Sequence, residues 1–366
     1  MGQKMYYYTS TDTMSKILTG GNLFATNLGY MNDAREYVHG LRTVKKTLQE
    51  NGINVDDIFS EEYIEEYASR EKELTYFSIS FCENNDLLSQ WTTYAKESGV
   101  SIEMDFTENE DVEFMVKDDE NQEIRIKARP EKIQYVESRW GNPGEIDEVW
   151  KRFDSSKMSE KYLKEMGEKI SAYIKQFDFV QENEYRIAFD NASMGCTPKI
   201  DYRSDKHVLK PYISVECVGG WPITSIMVGP GFNQDVVLQS VRFFLNHAKV
   251  KSNKLLTQGQ WKEQIEVYFM SGGNEFIEIW NELNKDKSLN GFAERWKALG
   301  DDPRKEMDEY WKQLWVEKVR LAVKKGIEKR VNGHESSAEK YRKLVGEHFF
   351  TTSGIILKKS DIPYIY

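Results

Sequence analysis

Glu182-Asn183-Glu184-Tyr185-Arg186 leads into a β-prone run that continues to Phe189, and the fold is decided by how this stretch is read. In a strand of period two, Glu182, Glu184 and Arg186 project to one side. Two carboxylates so close repel, so at least one needs a cation or hydroxyl nearby, and Arg186 can supply the cation. A solvated strand edge with a surface ion pair is the competing reading.

Upstream, residues 75–81 alternate through Phe77, Ile79 and Phe81, which predicts a strand carrying Ser78 and Ser80 on its other face. Residues 4–9 predict an opening strand through Tyr6-Tyr7-Tyr8-Thr9. It is followed by a helix on Met14, Ile17 and Leu18 that stops at Gly20-Gly21. Further strands are expected over 22–26, 100–106, 112–116, 124–136, 207–215 and 223–228. Helices are expected over 33–49, 60–72, 87–95 and 146–176, and again after Gly229-Pro230-Gly231. This mixture predicts an α+β domain over 1–270. Beyond about Met270 strand signals fade, and Trp280, Trp296, Trp311 and Trp315 sit in charged helical segments. A helical extension is expected over 271–366, with an extended tail from Phe349 that rejoins the sheet.

Fifty lysines and arginines against 60 aspartates and glutamates leave a formal charge of −10, which argues against coating duplex DNA by bulk charge. The apolar share of 39% is low, but 13% aromatic residues supply large buried areas, so a packed core remains within reach. Cys82, Cys196 and Cys217 are far apart and lack metal spacing, which reads as reduced thiols in a cytoplasmic protein. No membrane span is expected, and no metal, since the five histidines show no ligand spacing.

Trp91 and Tyr94 lie three apart on one predicted helical face. Each of these pieces also has a plain packing reading. Their order is more specific. Tyr6-x-Tyr8-Thr9, the helix with its glycine stop, Asn32-Asp33, Trp91-x-x-Tyr94 before Gly99-Val-Ser-Ile-Glu-Met-Asp-Phe106, and Glu182-x-Glu184-Tyr185-Arg186 follow one another along the chain. From about Met5 to Gly231 this order resembles a widespread bacterial domain family of unknown function, whose members are often encoded near phage-defence genes. More remotely, it is similar to the ADP-ribosyltransferase superfamily.

That resemblance implies a split β-sheet core with flanking helices and a site that consumes NAD. It assigns Tyr8 and Thr9 to the element that holds nicotinamide, and Ser78 and Ser80 to the strand that shapes the pocket. Glu182 and Glu184 take the catalytic Glu-x-Glu. A tyrosine stands where the superfamily has arginine or histidine. Glu184 would stabilise an oxocarbenium-like ribose and hold its 2′-hydroxyl, and Glu182 would orient or deprotonate the acceptor. Tyr8 or Tyr94 would stack on nicotinamide, and Arg186 would contact pyrophosphate or hold Glu184.

The functional expectation is an NAD-consuming effector, transferase or hydrolase, in anti-phage defence or a toxin system, with a phage-derived trigger. A non-catalytic sensor of a nucleotide or phage protein is the alternative. A metal-dependent nuclease ranks last, because Glu123-Ile124-Arg125-Ile126-Lys127 misplaces the lysine. Lys318, Arg320, Lys324, Lys325, Lys329 and Arg330 form a basic run that reads either as a solvated face or as a docking surface for a nucleic acid or protein target.

Overall fold

The structure, a computed structural model, describes residues 4–31, 35–69, 73–96, 99–106, 111–137, 143–190, 194–205, 207–252, 349–350, 355–360 and 362. They form a mixed α+β protein that divides into two compact units. The first comprises Met1–Tyr7, Gly21–Asn84 and Phe106–Gly220, and the second Tyr8–Gly20, Asn85–Asp105 and Trp221–Tyr366. The basic run and most of the expected helical extension lie outside the described residues, as do Asn32 and Asp33.

The first unit is built on antiparallel pairing. Strand β1 (Lys4–Thr9) contributes residues 4–7, and β2 (Asn22–Asn27) and β3 (Tyr76–Cys82) follow. One edge of β3 pairs with the Glu-x-Glu-bearing strand, here called β10 (Glu184–Asp190), in the register Glu184↔Cys82, Arg186↔Ser80 and Ala188↔Ser78. Its other edge is shared: β1 holds the end at Cys82 through Tyr6, and β2 holds the other end through Thr26↔Ser78. Beyond β2 lies β12 (Val208–Cys217), whose far edge pairs with β11 (Asp201–Asp205) and β5 (Val112–Lys117); β5 in turn pairs with β6 (Glu123–Ala128). The alternation predicted for 75–81 is present, with Phe77, Ile79 and Phe81 buried on one face of β3 and Ser78 on the other.

Two helices cover part of this sheet. Helix α2 (Glu36–Glu50) buries Tyr37, Val38, Leu41, Val44 and Leu48, an i, i+4, i+7 stripe that drives its packing. Burying each such large side chain fully contributes about 1.5–3 kcal/mol. Helix α6 (Glu160–Ser171) is N-capped by Ser159, which accepts from Tyr162 N, and it buries Leu163, Gly167 and Ile170. The two helices meet at Gly40, where any Cβ would collide with the Ser171 backbone.

Three expectations fail locally. The helix expected over 146–176 is broken into α5 (Pro143–Trp150) and α6. Asp154 accepts from the Ser156 amide and hydroxyl and turns the chain between them, after which residues 174–176 form the short strand β9 (Ile174–Gln176). The strand expected over 124–136 breaks at Pro130, which has no N–H to donate, into β6, β7 (Glu131–Lys132) and β8 (Gln134–Val136). Strand β11 was not expected.

In the second unit, β4 (Val100–Asp105) pairs antiparallel with β13 (Ile223–Val228). Strand β13 pairs parallel with β15 (Ile356–Lys359), which takes β14 (Phe349–Phe350) antiparallel. Helices α1 (Thr11–Gly20), α4 (Leu88–Tyr94) and α7 (Gln234–His247) belong to this unit. No helix among the described residues is long and apolar enough to cross a membrane.

Candidate functional site

Glu184 begins β10, immediately after a sharp change of backbone. Residues 177–182 form a 3-10 helix and Asn183 adopts φ +42°, so Glu182 ends that helix and does not share the strand with Glu184 and Arg186. Asparagine tolerates this left-handed conformation because its short side chain bonds locally. The backbone is fixed on both sides: Asn183 O accepts from Glu83 N at 2.9 Å, and Glu184 O accepts from Ile133 N at 3.0 Å. Tyr135 OH accepts from Glu184 N at 2.8 Å.

Two cations and three carboxylates converge here. Arg186, fully buried, donates from Nε and Nη2 to Glu184 Oε1 at 3.0 and 2.7 Å, and from Nη1 to Ala172 O at 2.6 Å. The same Nη1 lies 2.5 Å from Glu36 Oε1. Lys175, carried by β9, places Nζ 2.7 Å from Glu182 Oε2, 3.1 Å from Glu184 Oε2 and 3.5 Å from Glu36 Oε2. Its ammonium also lies 5.0 Å from the centroid of the Phe179 ring.

Burial pushes the Glu184 carboxyl upward, but the charges of Arg186 and Lys175 outweigh it and hold the group down at about 2. Ser80, opposite Arg186 in the β3–β10 register, lies close enough to favour the ionised form of Glu184, though its hydroxyl falls short of full hydrogen-bond geometry. Glu36 goes the other way: burial raises it, and the pull of Arg186 and Lys175 does not compensate. Burial pulls the Lys175 ammonium down, yet Glu184, Glu36 and Glu182 more than offset this and keep it protonated. Glu182 is the most open member, its side chain 22% exposed, while Glu184 is 4% exposed. Burial pushes the nearby Cys82 thiol up to about 11, so it is an inert neighbour.

The expected site residues therefore divide. Glu182, Glu184, Arg186, Ser78 and Ser80 belong to the first unit, and the structure groups the first three with Ser80; Tyr8, Thr9 and Tyr94 belong to the second. There Tyr8 is buried, its ring 4.7 Å from Trp91 edge-on and its hydroxyl accepting from Leu87 N at 3.1 Å. Trp91 Nε1 and Ser360 Oγ both donate to Asp86 Oδ1 at 2.7 Å. Thr9 is buried, and its carbonyl lies so close to Gly99 that a Cβ there would stand 2.6 Å away. Tyr94 is 42% exposed.

Sequence reading missed Glu36, Lys175 and Tyr135 around Glu184, and Asp86 and Ser360 around Trp91. Glu36 carried a faint signal, standing three residues after Asn32-Asp33 at a helix start. Lys175 was hidden inside the helix wrongly expected over 146–176. Among the described residues no group of three His, Cys, Asp or Glu side chains is placed to hold a metal. The Lys175 ammonium itself fills the space between Glu36, Glu182 and Glu184. No protein-family profile, curated protein or solved structure matches the chain.

Proposed function

We propose that this chain is an NAD-consuming enzyme of ADP-ribosyltransferase type, a transferase or NAD hydrolase that serves as an effector in bacterial anti-phage defence or a toxin system. The observation that carries this reading is the pairing of Glu184 and Arg186 on β10 with the Ser78-Ile79-Ser80 strand, whose opposite edge is divided between β1 and β2. This pairing supports the reading because it sets the Glu184 strand beside the serine-bearing strand that the resemblance assigns to the pocket.

The chemistry suits the group. When the nicotinamide–ribose bond breaks, nicotinamide leaves with the bonding electron pair and positive charge develops at the ribose carbon and ring oxygen. Glu184, kept ionised by its neighbours, is a fixed negative partner for that charge. The Lys175 ammonium is the cation that the substrate's own charge replaces, because Arg186 is tied to two further acceptors, Ala172 O and Glu36 Oε1, and stays in place. Glu182, more open, takes the proton from water or the target group as it attacks the ribose carbon.

The observation favouring a second reading, a non-catalytic sensor of a nucleotide or phage protein, is that both Glu184 oxygens already face a cation. One experiment separates the two. Wild-type protein and Glu184→Gln are incubated with NAD, with and without cell extract, and free nicotinamide is measured beside a melting curve. The enzyme reading expects release by the wild type and none by a folded Glu184→Gln. Equal release by both overturns the role of Glu184, and NAD binding without turnover under every condition supports the sensor.

A further inference from the structure

Arg42, Arg125, Arg152 and Arg186 each end on a carboxylate. Arg203, on β11 of the first unit, does not: among the described residues it forms no ion pair, and its Nη2 donates to Thr26 Oγ1 at 2.9 Å. Asp205, on the same strand, is taken by Lys210 at 2.7 Å. Arg203 stands two residues from Asp201, the register partner of Tyr212, so the guanidinium and the Tyr212 phenol lie on one face with Thr26. Asp201 is the carboxylate that faces Tyr212.

Aromatic surface lies beside this cation. Phe24, 38% exposed, and Tyr212 have ring centroids 4.2 Å apart and planes tilted by 30°. The register Tyr212↔Thr26↔Ser78 sets a ring and two hydroxyl groups in one row across β12, β2 and β3, and Phe24 shares that face two residues from Thr26. Ser78 is 2% exposed, and its hydroxyl has no hydrogen-bond partner among the described residues. A buried hydroxyl left unsatisfied costs free energy, so a polar ligand atom in this row would be favourable.

We propose that Arg203, Thr26, Ser78 and the Phe24–Tyr212 ring pair form a nucleotide-binding site. The planar guanidinium matches a phosphate or pyrophosphate in two-pronged fashion, and an exposed ring offers a face for a base. A polyanionic strand is disfavoured, because an arginine without an ion pair among the described residues, standing near Asp201, gives too little positive charge in a chain of net charge −10. The site deepens the NAD reading, on which it rests only for the name of its occupant, the ADP-ribose part of the dinucleotide.

The test is calorimetry on full-length wild type, Arg203→Gln, Tyr212→Leu and Glu184→Gln, each checked by melting, with ADP-ribose, inorganic phosphate and a short single-stranded oligonucleotide as probes. ADP-ribose should bind the wild type, and Glu184→Gln, which loses at most a bond to the ribose, should weaken it less than Arg203→Gln does. ADP-ribose should lose about tenfold or more in affinity on Arg203→Gln, the worth of one charge-assisted hydrogen bond. Tyr212→Leu should also weaken it. Unchanged affinity in a folded Arg203→Gln overturns the site, as does inorganic phosphate binding as tightly as ADP-ribose, or the oligonucleotide binding more tightly. Arg203-dependent ADP-ribose binding without nicotinamide release keeps this site and removes the catalytic reading. Nicotinamide release with Arg203-independent binding does the reverse.

Discussion

Two carboxylates from the two units, the buried Glu184 and the half-buried Asp86, are held by different kinds of partner. Glu184 is held by charge: Arg186 and Lys175 grip it and are themselves gripped by Glu36 and Glu182, so five ionisable groups from three separated segments depend on one another. Asp86 accepts from two neutral donors, the indole of Trp91 and the hydroxyl of Ser360. Removing a member of the first arrangement strands charge in a dry interior; removing a donor from the second costs one hydrogen bond. The first is therefore the more brittle, and a fixed charge is of use chiefly where charge develops.

The largest effect follows from breaking the charged cluster. Arg186→Met leaves three carboxylates facing only Lys175 and should destabilise by about 3–5 kcal/mol, read as a lower urea midpoint. Acid probes the same contacts without a substitution. The folded Glu184 ionises at about 2, below the ~4.3 of an unfolded glutamate, so its charge stabilises the fold above about pH 4.3. That contribution is lost as pH falls towards 2. Glu36, raised instead, favours its protonated form and loses stability as pH rises. The urea midpoint of the wild type should therefore drop through the acid range, and Glu184→Gln should remove most of that slope.

A smaller effect is expected where no charge is touched. Gly40→Ala pushes a methyl group into the Ser171 backbone, next to the Ala172 carbonyl that receives Arg186. It should cost about 1–3 kcal/mol by equilibrium unfolding and displace Glu36, one turn earlier on α2. Ser360→Ala should cost least. Trp91 still donates to Asp86, so the loss is about 1 kcal/mol, measured against Arg186→Met in the same buffer. If Ser360→Ala proved the more damaging, the contrast between charged and neutral holding would fail.

Much of the framework was legible because burial imposes a period. The alternation over 75–81 and the apolar spacing along α2 report which faces are covered, and both are found in place. Around the site the same logic misleads. Glu182 looked like a strand neighbour of Glu184, but Asn183 turns left-handed and carries it onto a 3-10 helix. Lys175 sat in an amphipathic-looking run, and only the turn at Asp154–Ser156 and the shortness of α6 release it into β9. Glu36 reads as an ordinary acidic residue in the first turn of a helix, since its partners lie more than a hundred residues away. Ser360 meets Asp86 across 274 residues, a pairing that no local pattern encodes. Periodicity reports burial, not which distant charges meet.

The decisive experiment is single-turnover release of nicotinamide from NAD by the wild type, Glu184→Gln and Glu182→Gln, each confirmed as folded. Glu184→Gln should slow bond cleavage by about 10²–10⁴-fold, whereas Glu182→Gln should keep cleavage and lose transfer to the acceptor. Cleavage at the wild-type rate by Glu184→Gln would show that the buried carboxylate serves the fold and not the reaction.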